Sequence, residues 1–116
     1  MLNLYGIPNC DTLKKARIWL EEQALDFQFH DYKKVGVDAS TLQAWVKQVG
    51  WEVLVNRRGT TWRKLAETDR ETLNEASAIG LMQANPSLIK RPVLDTGSQL
   101  LVGFDPIEWQ QKLINP

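Results

Sequence analysis

The residue with the clearest chemical potential is Cys10, the only cysteine in the 116-residue chain. It follows a short apolar segment interrupted by Gly6 and Pro8, and it precedes apolar residues at helical spacing. The sequence therefore places it at the start of a helix. Backbone N–H groups are unpaired there and the helix dipole favours negative charge, so the pKa of a thiol is lowered. This pattern predicts a reactive thiolate, against the alternative of a buried cysteine that packs as a small apolar side chain.

Polar residues beside Cys10 are candidates to assist this chemistry. Asn9 precedes the cysteine, and Thr12 carries a hydroxyl that can be offered to the sulfur. Asp11 follows directly, and its negative charge is expected to oppose formation of the thiolate. Leu13 occupies the position where a two-cysteine redox motif has its second cysteine. A disulfide formed at Cys10 must therefore be resolved by a thiol from another molecule.

Two further segments are basic: Asn56-Arg57-Arg58, which is followed by a glycine and two threonines, and Lys90-Arg91-Pro92. A guanidinium group presents a planar set of donors that binds carboxylate or phosphate through paired hydrogen bonds. Both segments are therefore candidate anion-binding loops. The simpler alternative is that these charges are only solvated, as charges on loops usually are.

Composition argues against several classes of function. The chain has 14 basic and 14 acidic residues and no net charge, which gives no general attraction to nucleic acid or to anionic membranes. A single histidine, His30, lies in a strand-like pattern where a structural role is expected, and with one cysteine it does not make a zinc site. No segment approaches the roughly 20 apolar residues of a membrane span, and no signal peptide is evident. We expect a cytoplasmic monomer without a bound metal or cofactor.

The first two thirds of the chain are predicted to form two strands and several helices. Hydrophobic spacing indicates a strand at 2–7, a helix over about 11–24, in which Ala24 continues the apolar stripe, and a strand at 26–32. Capping boxes of Ser40 with Gln43 and of Thr68 with Glu71 then start two longer helices. Gly50 ends the first of these, and a short helical segment follows at 51–55.

The last third is predicted to form a β-hairpin and a helix. Strands at 92–94 and 99–102 flank a turn at 95–98, and Asp105 followed by Pro106 starts the final helix. The element order predicts an α/β fold, a thioredoxin-like (glutaredoxin-type) mixed sheet with flanking helices. Residues 1–116 are expected to form one domain with a helical insertion at about 38–85, and the reactive thiol lies at the tip of the first helix.

Four motifs together resemble the ArsC/Spx family of bacterial proteins, and more narrowly its YffB-type branch. They are residues 7–16 around the cysteine, 56–65, 87–92 and 101–104. The resemblance covers essentially the whole chain. It implies a thioredoxin-like fold with a helical insertion and a cis peptide bond before Pro92.

The same resemblance separates two kinds of family member. Arsenate reductases use a nucleophilic cysteine and three arginines that hold the oxyanion. Cys10 matches the nucleophile and Arg91 one arginine, whereas the other two positions hold Asn56 and Gly103. Spx-type regulators bind RNA polymerase and usually carry a second cysteine, which Leu13 replaces here.

The function favoured by these observations is that of a glutathione-dependent thiol reductase acting through a mixed disulfide on Cys10. Glutathione is then a co-substrate, and Thr12 and Arg91 are the other catalytic residues. The two alternatives are an arsenate reductase with an altered oxyanion site and a non-catalytic, Spx-like regulator that docks on a partner through its helical insertion. Which of the two adjacent arginines faces the thiol is open. Substrate contacts are predicted for Asn9, Asn56, Arg57, Arg58, Lys90 and Pro92.

Overall fold

The computed structural model of the protein describes residues 1–115, and short helices occupy the middle of the chain. The first part contains β1 (Leu2–Gly6), α1 (Asp11–Glu22) and β2 (Phe27–Asp31). The middle helices are α2 (Tyr32–Val35), α3 (Ala39–Val49), α4 (Trp51–Leu54), α5 (Thr60–Lys64), α6 (Glu67–Glu71) and α7 (Glu75–Ala84), followed by a 3-10 turn (Pro86–Leu88). The last part contains β3 (Val93–Asp95), β4 (Leu100–Val102), α8 (Pro106–Trp109) and a π-helical turn (Gln110–Ile114).

The chain divides into two compact units. The first unit consists of residues 1–31 together with the chain from Arg91 onward, and the second unit consists of residues 32–90. The predicted insertion at 38–85 lies inside the second unit, which extends several residues beyond it at both ends. No helix in residues 1–115 combines the length and apolar character needed to cross a membrane.

The first unit is built on a four-stranded mixed sheet with the order β2-β1-β3-β4. The central strand β1 pairs in parallel with β2, where Leu4 lies opposite Phe29, and antiparallel with β3, where Leu4 lies opposite Leu94. β4 pairs antiparallel with β3 and forms the other edge. This mixed sheet is the thioredoxin-like arrangement that the sequence predicts.

Helix α1 packs on this sheet through one apolar stripe and ends earlier than predicted. Ala24 has a left-handed φ of 57° and lies beyond the helix. The Ala24 N–H donates to Glu21 O and the Leu25 N–H donates to Leu20 O, both at 3.0 Å, so the last carbonyls are satisfied by a Schellman motif. The buried core of the unit consists of Leu4, Leu13, Ala16, Leu20, Leu94, Leu101 and Trp109.

In the second unit, helix α3 begins at a different residue from the predicted one. Asp38 is the N-cap: its Oδ1 accepts the Thr41 N–H at 2.8 Å and the Ser40 hydroxyl at 2.9 Å. These hydrogen bonds lower the pKa of Asp38, and the bond from the Thr41 N–H has the largest effect. The predicted capping box of Ser40 is therefore wrong, because a carboxylate two residues earlier is the acceptor. Gly50 ends the helix as predicted, with φ of 88°.

The second predicted capping box is also wrong. Thr68 lies inside the short helix α6, which ends at Glu71, and the Thr72 hydroxyl donates back to Thr68 O at 2.7 Å. Asn74 starts the longer helix α7 instead. Its side chain accepts the Ser77 N–H and its own N–H donates to the Ser77 hydroxyl, both at 2.9 Å. The single helix predicted from Thr68 is thus two helices, α6 and α7, because Asn74 caps the start of the second.

The hairpin and the last helix start as predicted. Gly97 takes φ of 94° in the turn between β3 and β4. Asp105 caps α8 by accepting the N–H groups of Ile107 at 3.0 Å and Glu108 at 3.4 Å, and Pro106 occupies the first turn. These signals are local in sequence, which is why they predict the structure directly.

Candidate active site

Cys10 is the N-cap residue of α1, where the loop that follows β1 meets the helix, as the sequence predicts. Its backbone is extended (φ −111°, ψ 124°), and its carbonyl accepts the Lys14 N–H at 3.0 Å in the first helical hydrogen bond. The side chain is partly buried and packs against the core of the first unit. The thiol is therefore neither sealed in the interior nor freely solvated.

Close packing between β1 and α1 determines where the helix begins. A Cβ at Gly6 would lie 2.8 Å from Leu13 Cδ1, and the Leu13 side chain is fully buried and has no room to move away. Only glycine permits this approach of strand and helix. The first turn of α1, with the cysteine at its tip, is thereby held against the end of β1.

The pKa of the Cys10 thiol is lowered. Partial burial is the largest single influence and acts against the charged form, which raises the pKa. Three groups together outweigh this effect and lower the pKa. They are the backbone N–H of Leu13, the Arg91 guanidinium, which acts through a hydrogen bond and through its charge, and the backbone N–H of Thr12. The thiol makes no capping bond of ordinary geometry, so the two N–H groups act mainly as dipoles at the helix start.

Arg91 reaches this site from a distant part of the chain. β3 starts at Val93, which lies opposite Tyr5 in β1, so the residues before β3 lie beside the end of β1. The peptide bond between Arg91 and Pro92 is cis, as the family resemblance implies. Pro92 is buried, and its carbonyl accepts the Gly103 N–H at 2.8 Å. The β1–β3 pairing is thus the element that brings the guanidinium to the thiol.

Two neighbours of Cys10 differ from their predicted roles. Thr12 acts on the sulfur through its backbone N–H rather than through its hydroxyl. Asp11 is exposed, and the influence that opposes the thiolate comes from burial of the thiol and not from this carboxylate. The backbone N–H of Leu13 is one of the N–H groups that the sequence places at the start of the helix, because a cap at position 10 aims the N–H groups of the next turn at residue 10.

The remaining predicted substrate contacts lie in two places. Asn9 is exposed in the turn before α1, in the first unit. The other four polar residues belong to the second unit and line one common cavity of about 270 Å³ with Val55. The structure therefore brings Cys10 together with Arg91 in the first unit. In the second unit it groups Asn56, Arg57, Arg58 and Lys90 around one cavity.

His30 has the structural role that its strand pattern predicts. Its ring stacks on the Tyr5 ring, with centroids 4.5 Å apart and planes 16° apart. Its Nε2 is 2.9 Å from Asn3 Oδ1 across the β1–β2 pairing. One ring face and one ring nitrogen of His30 are thus engaged by residues of β1.

The lowered pKa of Cys10 gives the free energy of unfolding a pH dependence of definite sign. Because the native pKa lies below that of the unfolded thiol, at about 8.5, the folded state gains stability above that value. This gain is lost as the pH falls through the lower native pKa. We expect the unfolding free energy of the protein, relative to that of Cys10→Ser, to rise as the pH passes from the lowered native pKa to the unfolded value of about 8.5, and then to level off. Urea unfolding under reducing conditions at several pH values measures it, and a constant difference contradicts it.

Comparison with known proteins supports the family resemblance seen in the sequence, over nearly the whole chain. Residues 5–112 match the model of the ArsC family. The solved structure of a YFFB protein is 51% identical, covers 97% of this chain and 99% of its own, and superposes with a TM-score of 0.94. An arsenate reductase (ArsC) related protein from Brucella melitensis is 53% identical, with coverages of 97% and 94% and a TM-score of 0.77. The global transcriptional regulator Spx of Streptococcus pyogenes serotype M3 is 30% identical over 93% of this chain and 81% of its own.

Proposed function

The chain belongs to the ArsC family, and from this premise we propose that it is a thiol–disulfide reductase with glutathione as co-substrate. The observation that carries the proposal is the thiol of Cys10, which is partly exposed and has a lowered pKa with the Arg91 guanidinium beside it. A thiolate is the attacking form in disulfide exchange, so a larger thiolate fraction at neutral pH supplies a ready nucleophile.

The first step forms a mixed disulfide on the protein. The Cys10 thiolate attacks the glutathionyl sulfur of a glutathionylated substrate, and an S–S bond forms between Cys10 and glutathione. The original disulfide bond breaks, and the substrate leaves as a thiolate that takes a proton from water. The substrate is reduced, and the protein sulfur and the glutathionyl sulfur are joined.

The second step requires a thiol from outside the chain, because Cys10 is the only cysteine. The thiolate of a second glutathione attacks the glutathionyl sulfur of the mixed disulfide. Oxidised glutathione is released, and the electron pair of the broken bond returns to the Cys10 sulfur. The balance over both steps is one glutathionylated substrate and one glutathione converted to the free thiol and oxidised glutathione.

Arg91 has a different task in each state of the cysteine. Before the attack its guanidinium stabilises the thiolate by a hydrogen bond and by charge. Once the mixed disulfide has formed, that negative charge is gone. The guanidinium can then bind a carboxylate of the attached glutathione, for which its paired donors are suited. The positive charge of Arg91 therefore has a negatively charged partner in both states of the cysteine.

Arsenate reduction is the second candidate, because a thiolate paired with a guanidinium can also attack an oxyanion and because an ArsC-related protein is among the near relatives. Asn56 and Gly103 stand where the resemblance places the other two oxyanion arginines. Production of arsenite from arsenate with glutathione and a glutaredoxin, lost in Cys10→Ser, would favour this candidate over the first.

The proposed function is tested by the reaction of the protein with oxidised glutathione at neutral pH, followed by intact mass. We expect one glutathione to add to the native protein faster than to the urea-unfolded chain, because the lowered pKa of Cys10 increases the fraction of thiolate at neutral pH. Reduced glutathione must remove the adduct, and Cys10→Ser must form none. Addition that is no faster in the native state than in the unfolded chain overturns the proposal.

A further inference from the structure

We propose that the second unit contains a binding site for a small oxyanion of the phosphate or carboxylate class. The site, here termed the cationic pocket, is a cavity of about 270 Å³. It goes beyond the thiol chemistry, and Cys10 is not among the residues that line it. Its lining residues are Val55, Asn56, Arg57, Arg58 and Lys90.

The two sides of the pocket are joined by a short antiparallel pairing. Val55 bridges Ile89, the Asn56 N–H donates to Leu88 O at 2.8 Å, and the Lys90 N–H donates to Leu54 O at 2.7 Å. The apolar residues of this pairing are at most 4% exposed. The Tyr32 hydroxyl also donates to Ile89 O at 3.0 Å. Lys90 and the loop after Val55 are therefore anchored to the core of the unit and to each other.

The loop that carries the two arginines has a defined shape. Asn56 Oδ1 accepts the Arg58 N–H at 3.1 Å, which turns the chain directly after the bridge. A Cβ at Gly59 would lie 3.1 Å from Asn56 Nδ2, so a larger residue there would press on the amide that makes the turn. The amide of Asn56 thus shapes the loop, and the positive charges come from the residues beside it.

Arg57 is held in place by two tryptophans. Its guanidinium carbon lies 5.8 Å from the centre of the Trp51 ring and 5.5 Å from the centre of the Trp62 ring. Both contacts are cation–π attractions, and together they favour one position of the guanidinium beside the loop. A side chain ordered before binding loses less entropy when an anion binds.

Charge and size together indicate the ligand. Three of the five lining residues are cations and none is acidic, so the like charges repel one another across the cavity. An anion placed among them converts this repulsion into attraction and charge-assisted hydrogen bonds. A volume of about 270 Å³ is below the usual range of drug-sized ligand sites, roughly 300–1,000 Å³, and suits a phosphate or carboxylate group.

Two probe ligands distinguish the sources of such an anion: inorganic phosphate, and S-methylglutathione, which carries carboxylates but has no thiol to exchange. Each is titrated into the ¹⁵N-labelled full-length protein at constant ionic strength set with chloride. We expect saturable shifts of the Arg58 and Gly59 amides and of the Trp51 and Trp62 indole N–H signals. The double variant Arg58→Gln/Lys90→Gln should weaken the affinity at least tenfold. Lys64→Gln, an exposed cation of the same unit outside the pocket, should leave it unchanged.

Each outcome of this titration either identifies the class of ligand or overturns the proposal. Saturation by phosphate alone assigns a phosphate-type ligand, and saturation by S-methylglutathione alone assigns a peptide carboxylate. Saturation by neither, or equal affinity in the double variant, overturns the proposal. The same titration of Cys10→Ser should give unchanged binding, because the pocket does not use the thiol. A failure of the pocket and a failure of the proposed reductase chemistry are therefore separate results.

Discussion

Arg91→Met should react with iodoacetamide at pH 7 more slowly than the unchanged protein, by a factor of up to about ten for each unit by which the pKa of Cys10 rises. The substitution removes both the hydrogen bond and the positive charge that Arg91 supplies to the Cys10 sulfur, and it leaves the opposing effect of burial in place. Methionine retains an unbranched apolar stem, so the packing of the side chain changes little. The alkylation rate measured as a function of pH should show a raised pKa.

Two matched variants make this result specific. Arg91→Lys restores a positive charge and should recover part of the lost rate. Thr12→Val removes the hydroxyl but keeps the backbone N–H that acts on the sulfur, so we expect its rate to stay within about twofold of the unchanged protein. If Arg91→Met reacts as fast as the unchanged protein, or if Thr12→Val is the slower of the two, the account of thiol activation given above is wrong.

Trp109→Ala should cost about 3–5 kcal/mol of unfolding free energy, the usual range for removal of a large buried aromatic side chain. Trp109 is fully buried in the core of the first unit. It makes edge contacts with Phe104, with ring centres 4.9 Å apart, and with Trp19, with ring centres 5.9 Å apart. Its indole N–H donates to Gly103 O at 3.2 Å. Domains of this size are typically stable by about 5–15 kcal/mol, so the loss is a large fraction of the total.

Trp109→Phe is the matched control for that substitution. It keeps most of the buried aromatic surface but leaves the Gly103 carbonyl without the indole donor, so a smaller loss of about 1–3 kcal/mol is expected. Urea unfolding followed by far-ultraviolet circular dichroism measures both variants. A loss below about 2 kcal/mol for the alanine variant would mean that the core closes over the space, contrary to the close packing expected of a buried tryptophan.

The features of the fold that could be predicted from sequence are those with local causes. The position of Cys10 at the helix start, the hairpin turn around Gly97 and the cap at Asp105 each depend on a few adjacent residues. The errors arise where two local signals compete. Asp38 and Asn74 are better placed caps than the residues favoured from the sequence, and which cap is used depends on packing of the helix as a whole.

The site was predictable only in part for a different reason. The nucleophile follows from the pattern around Cys10, but nothing in the local sequence pairs it with Arg91. That pairing depends on the register of β1 with β3, and the sequence alone pointed to it only through the family resemblance. The short helix α2 (Tyr32–Val35) was missed because a single turn has no periodicity to detect. The grouping of Lys90 with the arginine loop was likewise hidden, since one isolated β-bridge produces it.

The order in which the first unit assembles follows from its division along the chain. β1, α1 and β2 are consecutive and pair by a local crossover, whereas β3 must return from the far end of the second unit to complete the sheet. Closing the long loop between Gly6 and Val93 costs chain entropy before any contact is gained. The helix tip with its cysteine can therefore form before the guanidinium reaches it. Arg91 can lower the pKa of the Cys10 thiol only after β3 has paired with β1.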